Sequence, residues 1–242
     1  MENTAMSVLA EISSLGNGSA RSERYRVRGS DFYQSLLCRL QSMDFGVGGE
    51  HRSVGLTSCA RGEGVTTVAS NLAVHAAHCT EARILIVDAN LANPSLHKTF
   101  KLSATPGLSD AIGGNITPEE SIQQSGLDNL SVVTSGIDKE HADRPILPLD
   151  GVCRVFESFR TDFDLVIVDL PTLDVPTNLS SLTSKLDGVL VVLAAEGISV
   201  KVAERQIRQV TENGSELLGV VFNKRRRHLP WWIDRFIGMH ND

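Results

Sequence analysis

The 242 residues suffice for one α/β domain with a core of its own, and 41% hydrophobic with 21% charged residues is the balance of a soluble globular protein. A formal charge of −6 argues against general nucleic-acid binding, so no nucleic acid is expected among the partners. The scattered cysteines Cys38, Cys59, Cys79 and Cys153 argue against zinc and a disulfide framework, no apolar run approaches the roughly 18–20 residues of a membrane span, and no secretory signal is apparent, so a reduced cytoplasmic protein is expected.

Residues 1–28 are small, polar and charged, and they read as a flexible N-terminal segment; residues 29–242 read as a single domain. Asp31 to Met43 carries Phe32, Leu36, Leu37 and Leu40 at helical spacing, and Gly46-Val47-Gly48-Gly49 ends it. From there apolar strands alternate with helices. Strands are predicted near 52–58, 83–88, 129–134, 164–169, 188–194 and 216–222. Helices are predicted near 65–79, 108–113, 117–124, 149–160, 178–185 and 199–213, with Asn213-Gly214 stopping the last. The runs Ile84-Leu85-Ile86-Val87, Leu165-Val166-Ile167-Val168 and Val189-Leu190-Val191-Val192-Leu193 are continuous, as in strands buried on both faces. The alternation predicts an α/β fold. It is a doubly wound, mostly parallel sheet flanked by helices, with ligands at the carboxyl ends of the strands. The chain closes on a basic and aromatic segment, Lys224-Arg225-Arg226-Arg227-His228 before Trp231-Trp232. That composition suits packing on the domain, an acidic partner or protomer, or an anionic membrane surface.

The loop Thr57-Ser58-Cys59-Ala60-Arg61-Gly62-Glu63-Gly64-Val65-Thr66-Thr67 joins the strand near 52–58 to a small-residue helix. A glycine-rich turn running into a helix N-terminus aims backbone N–H groups and a dipole at an anion. Gly62, Glu63, Gly64, Val65, Thr66 and Thr67 are therefore the candidate cofactor-binding residues. The usual pattern ends Gly-Lys-Ser/Thr, its lysine reaching the β- and γ-phosphates. Here Val65 holds that slot, and Arg61 is either a substitute cation or a solvated loop residue. Cys59 near a helix N-terminus is either a thiol of lowered pKa or a small loop filler. His75 and His78 lie three apart on the loop helix without an apparent acidic or cysteine partner for a metal.

Two more strand ends matter. Asp88 closes Ile84-Leu85-Ile86-Val87, and Asp169 closes Leu165-Val166-Ile167-Val168. One such aspartate could cap a helix. Two of them behind a phosphate loop are placed to hold Mg²⁺, directly or through water, with Thr66 adding a hydroxyl ligand. Asp88 and Asp169 are the candidate catalytic residues, and Thr66, Asp88 and Asp169 the candidate metal ligands.

These motifs together resemble the cytoplasmic catalytic domain of the bacterial tyrosine kinases of capsule and exopolysaccharide synthesis, P-loop proteins related to the MinD/ParA ATPases. The resemblance runs from about residue 30 to 236. It rests on the loop, on Asn71-Leu72-Ala73, and on Val87-Asp88-Ala89-Asn90-Leu91-Ala92-Asn93-Pro94-Ser95-Leu96-His97. Gly107-Leu108-Ser109-Asp110, Asp169 before Pro171, Asp187-Gly188-Val189 and Leu218-Gly219-Val220-Val221-Phe222-Asn223 complete it. It implies ATP or ADP with Mg²⁺ as cofactors and Asn223 as an adenine contact. It also implies a membrane chain-length regulator of polysaccharide export as partner, a homo-oligomer, and a peripheral place at the inner membrane face.

The departures are as informative. The family's lysine is Val65, and its Asp-x-Asp-x-Arg motif reads Asp88, Asn90, Ala92. A downstream aspartate aligns with Asn178, and an N-terminal Glu-x-x-Arg-x-x-Arg motif for self-association falls on Asp31, Gln34 and Leu37. The tyrosine-rich tail is missing, since Tyr25 and Tyr33 are the only tyrosines. These losses imply a degenerate tyrosine-kinase-like regulatory or scaffold component, with weak or absent nucleotide binding. The alternatives are an active kinase with a rearranged loop and a dimeric ATPase switch of the MinD/ParA kind.

Overall fold

The computed structural model describes residues 8–13, 30–43, 52–136, 148–174, 182–194, 199–212 and 214–225. The Arg226–Phe236 part of the basic and aromatic segment, Asn178 and the first half (178–181) of the helix predicted near 178–185 lie outside them.

The continuous apolar runs became strands because each has a covered face on both sides. They are β2 (Arg52–Ser58), β3 (Ile84–Asp88), β5 (Leu130–Val133), β6 (Leu165–Asp169), β7 (Gly188–Ala194) and β8 (Leu217–Arg225). β1 (Val8–Ser13) and β4 (Ile122–Leu127) lie at the two edges, and the sheet order is β1-β8-β7-β2-β6-β3-β5-β4. All pairings are parallel except β4 with β5. The helices are α1 (Ser30–Ser42), α2 (Val65–Cys79), α3 (Leu96–Phe100), α4 (Leu108–Ile112), α5 (Leu149–Asp162) and α6 (Val200–Glu212).

Side chains alternate across the strands and divide the core into two layers. Ile84 and Ile86 pack with Tyr33, Leu36 and Leu40 of α1, Leu72 of α2 and Phe100 of α3. Leu85 and Val87 pack on the opposite face with Leu108 of α4 and Phe156 and Phe159 of α5. Small residues Ala69, Ala73 and Ala76 on α2 are buried against the sheet. They allow the helix that leaves the loop to lie close to it.

The structure corrects the sequence reading at both edges. Val8–Ser13 lies in the stretch read as flexible, yet it pairs in parallel with β8. The helix predicted near 117–124 is a short 3₁₀ turn, Glu119–Ser121, followed by β4. β4 has an ill-defined apolar pattern and takes its conformation from antiparallel pairing with β5. The amide of Gln123 adds bonds to the carbonyls of Ser103 and Pro106 and to Thr134 Oγ1.

Candidate functional site

Strand register builds the site. Leu56 of β2 pairs with Asp169 of β6, and Asp169 pairs with Asp88 of β3. Two carboxylates therefore end neighbouring strands beside the loop that leaves β2, and both are fully buried.

Their environments differ. Asp88 Oδ2 accepts the N–H groups of Ser95 and Leu96 at 2.9 Å each, and Oδ1 accepts that of Asn90 at 3.3 Å. It braces the start of α3. Burial pushes its pKa up against the opposing pull of these hydrogen bonds. Both oxygens of Asp88 are thus engaged with backbone N–H groups, and Oδ1, which accepts one of them, keeps a second lone pair for a metal-bound water. Asp169 Oδ2 accepts the Thr66 hydroxyl at 2.6 Å, while Oδ1 has no partner. Burial first, and the Asp88 charge second, push Asp169 up to about 7, with the Thr66 bond opposing them. Ser95 Oγ donates to Thr66 Oγ1 at 3.0 Å and completes a polar row.

The loop is held from outside. Gly62 and Gly64 take φ of 81° and 95°, in the left-handed region that favours glycine. A Cβ on Gly64 would sit 2.3 Å from Asn223 Nδ2, so that position is closed to side chains twice over. The Glu63 side chain turns away from any ligand. Its oxygens accept the N–H of Ala60 at 2.8 Å and of Ala194 at 2.9 Å. Asn223 Nδ2 donates to the Glu63 carbonyl at 2.9 Å, and its Oδ1 accepts the Lys224 N–H at 2.8 Å. Asn223 thus ties the loop to the end of β8, with a second amide hydrogen and a second oxygen lone pair left over.

A cavity of about 240 Å³ opens at the loop, with Arg61, Gly62, Gly64, Val65, Thr66 and Asn90 on its wall. Thr67 and Ala92 also line it. Its volume suits a phosphate tail better than a whole nucleotide, since pockets for entire small ligands run to about 300–1,000 Å³. Val65 is only 9% exposed and is shared between this wall and the core. The remaining donors fit a hydrated Mg²⁺. Thr66 offers a hydroxyl, Asp169 offers an oxygen without a partner, and a cation would favour the ionised carboxylate. What the site lacks is the lysine charge.

Cys59 is not an activated thiol. Burial, then the charges of Glu63 and Asp174, push it up to about 12. His75 Nε2 lies 3.1 Å from Gln34 Oε1 and 3.5 Å from Cys79 Sγ, away from the loop. The sequence reading missed the parts played by Ser95 and Lys224. Ser95 stands in the motif after Asp88, where a serine before a helix is a recognisable signal.

A doubly wound sheet with a glycine loop entering a helix, and acids ending the adjoining strands, defines a P-loop NTPase fold. Residues 51–230 match the ParA family, described as NUBPL iron-transfer P-loop NTPase, and the chain belongs to that family. Its relatives include bacterial tyrosine kinases. The tyrosine-protein kinase CpsD of Streptococcus agalactiae is 28% identical over 180 residues, covering 73% of this chain and 77% of that protein. The tyrosine-protein kinase YwqD of Bacillus subtilis is 29% identical over 176 residues, covering 72% and 73%. The kinase domain of the Escherichia coli tyrosine kinase ETK superposes with a TM-score of 0.80 at 20% identity, over 93% of this chain and 92% of that one. MinD from Pyrococcus horikoshii, solved with Mg-ADP, superposes with a TM-score of 0.63 at 20% identity, over 77% of each chain. These superpositions speak for the fold.

Proposed function

We propose that this protein is a catalytically impaired relative of the bacterial tyrosine kinases of capsule and exopolysaccharide synthesis. It acts as a regulatory or scaffold component, and its nucleotide site is weakened. The carrying observation is Val65, which packs into the core at the position of the phosphate-binding lysine. A lysine about 4 Å from a phosphate is worth roughly 4 kcal/mol of Coulomb energy at an effective dielectric of about 20, before desolvation. Valine offers no such attraction in binding or in phosphoryl transfer. Asn90 and Ala92 line the same cavity where the resemblance places an aspartate and an arginine.

The partner on this reading is a membrane-embedded chain-length regulator of polysaccharide export, and the chain works at the inner face of the membrane. Among the described residues no helix is long and apolar enough to cross a membrane. Ring-like self-association is disfavoured. Leu37, at a position of the family's assembly arginines, is buried in the core, and Gln34 bonds to Cys38 and His75.

The test is transfer of phosphate from Mg-ATP to an added tyrosine peptide by the purified chain. The expected result is no phosphotyrosine above an enzyme-free blank. The second reading is an active kinase, favoured by the retained Thr66–Asp169 pair. Robust transfer that Asp169→Ala abolishes would establish that reading instead.

A further inference from the structure

Lys224 stands at the end of β8, far in sequence from the loop and directly against it in space. Its backbone has φ of 58°, a left-handed conformation uncommon for lysine, held by its N–H on Asn223 Oδ1. The side chain turns back over the glycine arch. Its Nζ donates to the carbonyl of Gly62, and its Cε lies 4.0 Å from where a Cβ on Gly64 would stand. The absence of a side chain at Gly64 leaves that path open.

We propose that Lys224 supplies the ammonium that position 65 lacks, so that the loop binds the terminal phosphates of a nucleoside di- or triphosphate. This rests on the reading of the loop as a weakened nucleotide site, and it names the residue that carries the remaining affinity.

The geometry supports an exchangeable contact. No carboxylate among the described residues forms an ion pair with Lys224. An ammonium has three donors, and here one of them rests on a neutral carbonyl. A phosphate oxygen is the stronger acceptor because both partners are then charged. Gly62 and Gly64 both border the cavity, as does Arg61; Lys224 does not itself line it, so Nζ reaches a phosphate there by leaving the Gly62 carbonyl. The mounting is firm. Asn223 is tied to the Glu63 carbonyl, the Glu63 carboxylate is tied to Ala60 and Ala194, and Ala194 pairs with Asn223 across β7 and β8.

The experiment is calorimetric titration of the full chain with Mg-ADP, for the unaltered protein and for Lys224→Gly, Lys224→Arg and Lys224→Gly with Val65→Lys. Glycine keeps the left-handed backbone and removes the ammonium with its stem, and the arginine variant restores a stem and a charge. Loss of a charge-assisted contact predicts binding about ten- to a hundredfold weaker for Lys224→Gly. Lys224→Arg should stay close to the unaltered affinity, and Val65→Lys should restore binding to the glycine variant. Thermal unfolding without ligand should give Lys224→Gly a midpoint no lower than that of the parent. Equal affinity with and without Lys224 would make the residue a latch on the loop and overturn the proposal. No binding by the unaltered chain, with binding by Val65→Lys, would also overturn it while leaving the scaffold role standing. Tyrosine transfer together with Lys224-dependent binding would instead remove the scaffold role and leave this proposal intact.

Discussion

Asp169 is held between two opposing demands: burial favours its protonated form, and Thr66 favours the carboxylate. Its native pKa of about 7 lies well above the 3.8 of a free aspartate. Between those two values the unfolded chain releases a proton that the native chain keeps. Stability must therefore fall as pH rises through this window, and stay level above it. At about 1.4 kcal/mol per unit of pKa, the effect is of the order of a few kcal/mol. Asp169→Asn should remove that part of the slope. Urea unfolding in EDTA at pH 5 and pH 8 would measure it, and a variant with the parent's pH dependence would refute the assignment. Cys59 gives an independent check. It is 1% exposed with its thiol pushed up to about 12, whereas Cys38 and Cys79 are exposed. Iodoacetamide at pH 8 should label Cys38 and Cys79 and leave Cys59 at least about a hundredfold slower, since the thiolate is the reacting species. Rapid labelling of Cys59 in the folded chain would contradict its burial.

Among the elements, β2 is pinned at its start as firmly as at its loop end. Asp187, just before β7, accepts the Ser53 N–H at 2.7 Å, the Ser53 hydroxyl at 2.8 Å and Arg160 Nη2 at 2.8 Å. Asp187→Ala leaves these donors unmatched in a partly buried place, and should destabilise the fold by about 2–4 kcal/mol. A urea midpoint that barely moves would show that water replaces the carboxylate. The strands with apolar residues on both faces were legible in the sequence, because alternate side chains enter two different cores. β4 was not legible, since its conformation comes from β5 and from the Gln123 amide rather than from its own pattern. The same division holds at the site. Gly62, Thr66, Asp88 and Asp169 announce themselves by position, at a turn or at the end of a strand. Glu63 on Ala194, Ser95 on Thr66 and Lys224 on Gly62 bridge separations of 131, 29 and 162 residues, and no local pattern encodes such contacts.

Across the whole molecule, the layers that hold the sheet are separate from the residues that would transfer phosphate. Val65 and Leu170 are the exceptions among the described residues, because they belong to both the core and the cavity wall. The fold can therefore persist after the chemistry is weakened, which is why kinship with kinases fixes architecture more firmly than activity. Val65→Lys tests that separation. The lysine stem can keep part of the valine's packing while the ammonium turns into the cavity. The expected loss of stability is about 1–2 kcal/mol, and the expected gain in Mg-ADP affinity is at least about tenfold. On the reading proposed above, tyrosine transfer should not appear with the lysine, because Asn90 and Ala92 still line the cavity where the family pattern has an aspartate and an arginine. Calorimetry and a phosphotyrosine assay on the same preparation separate the two effects. If the single lysine restores transfer as well as binding, the impairment rests on position 65 alone, and the rest of the site is still that of a kinase. If binding rises and transfer does not, the losses at positions 65, 90 and 92 act together, as a regulatory role for the protein requires.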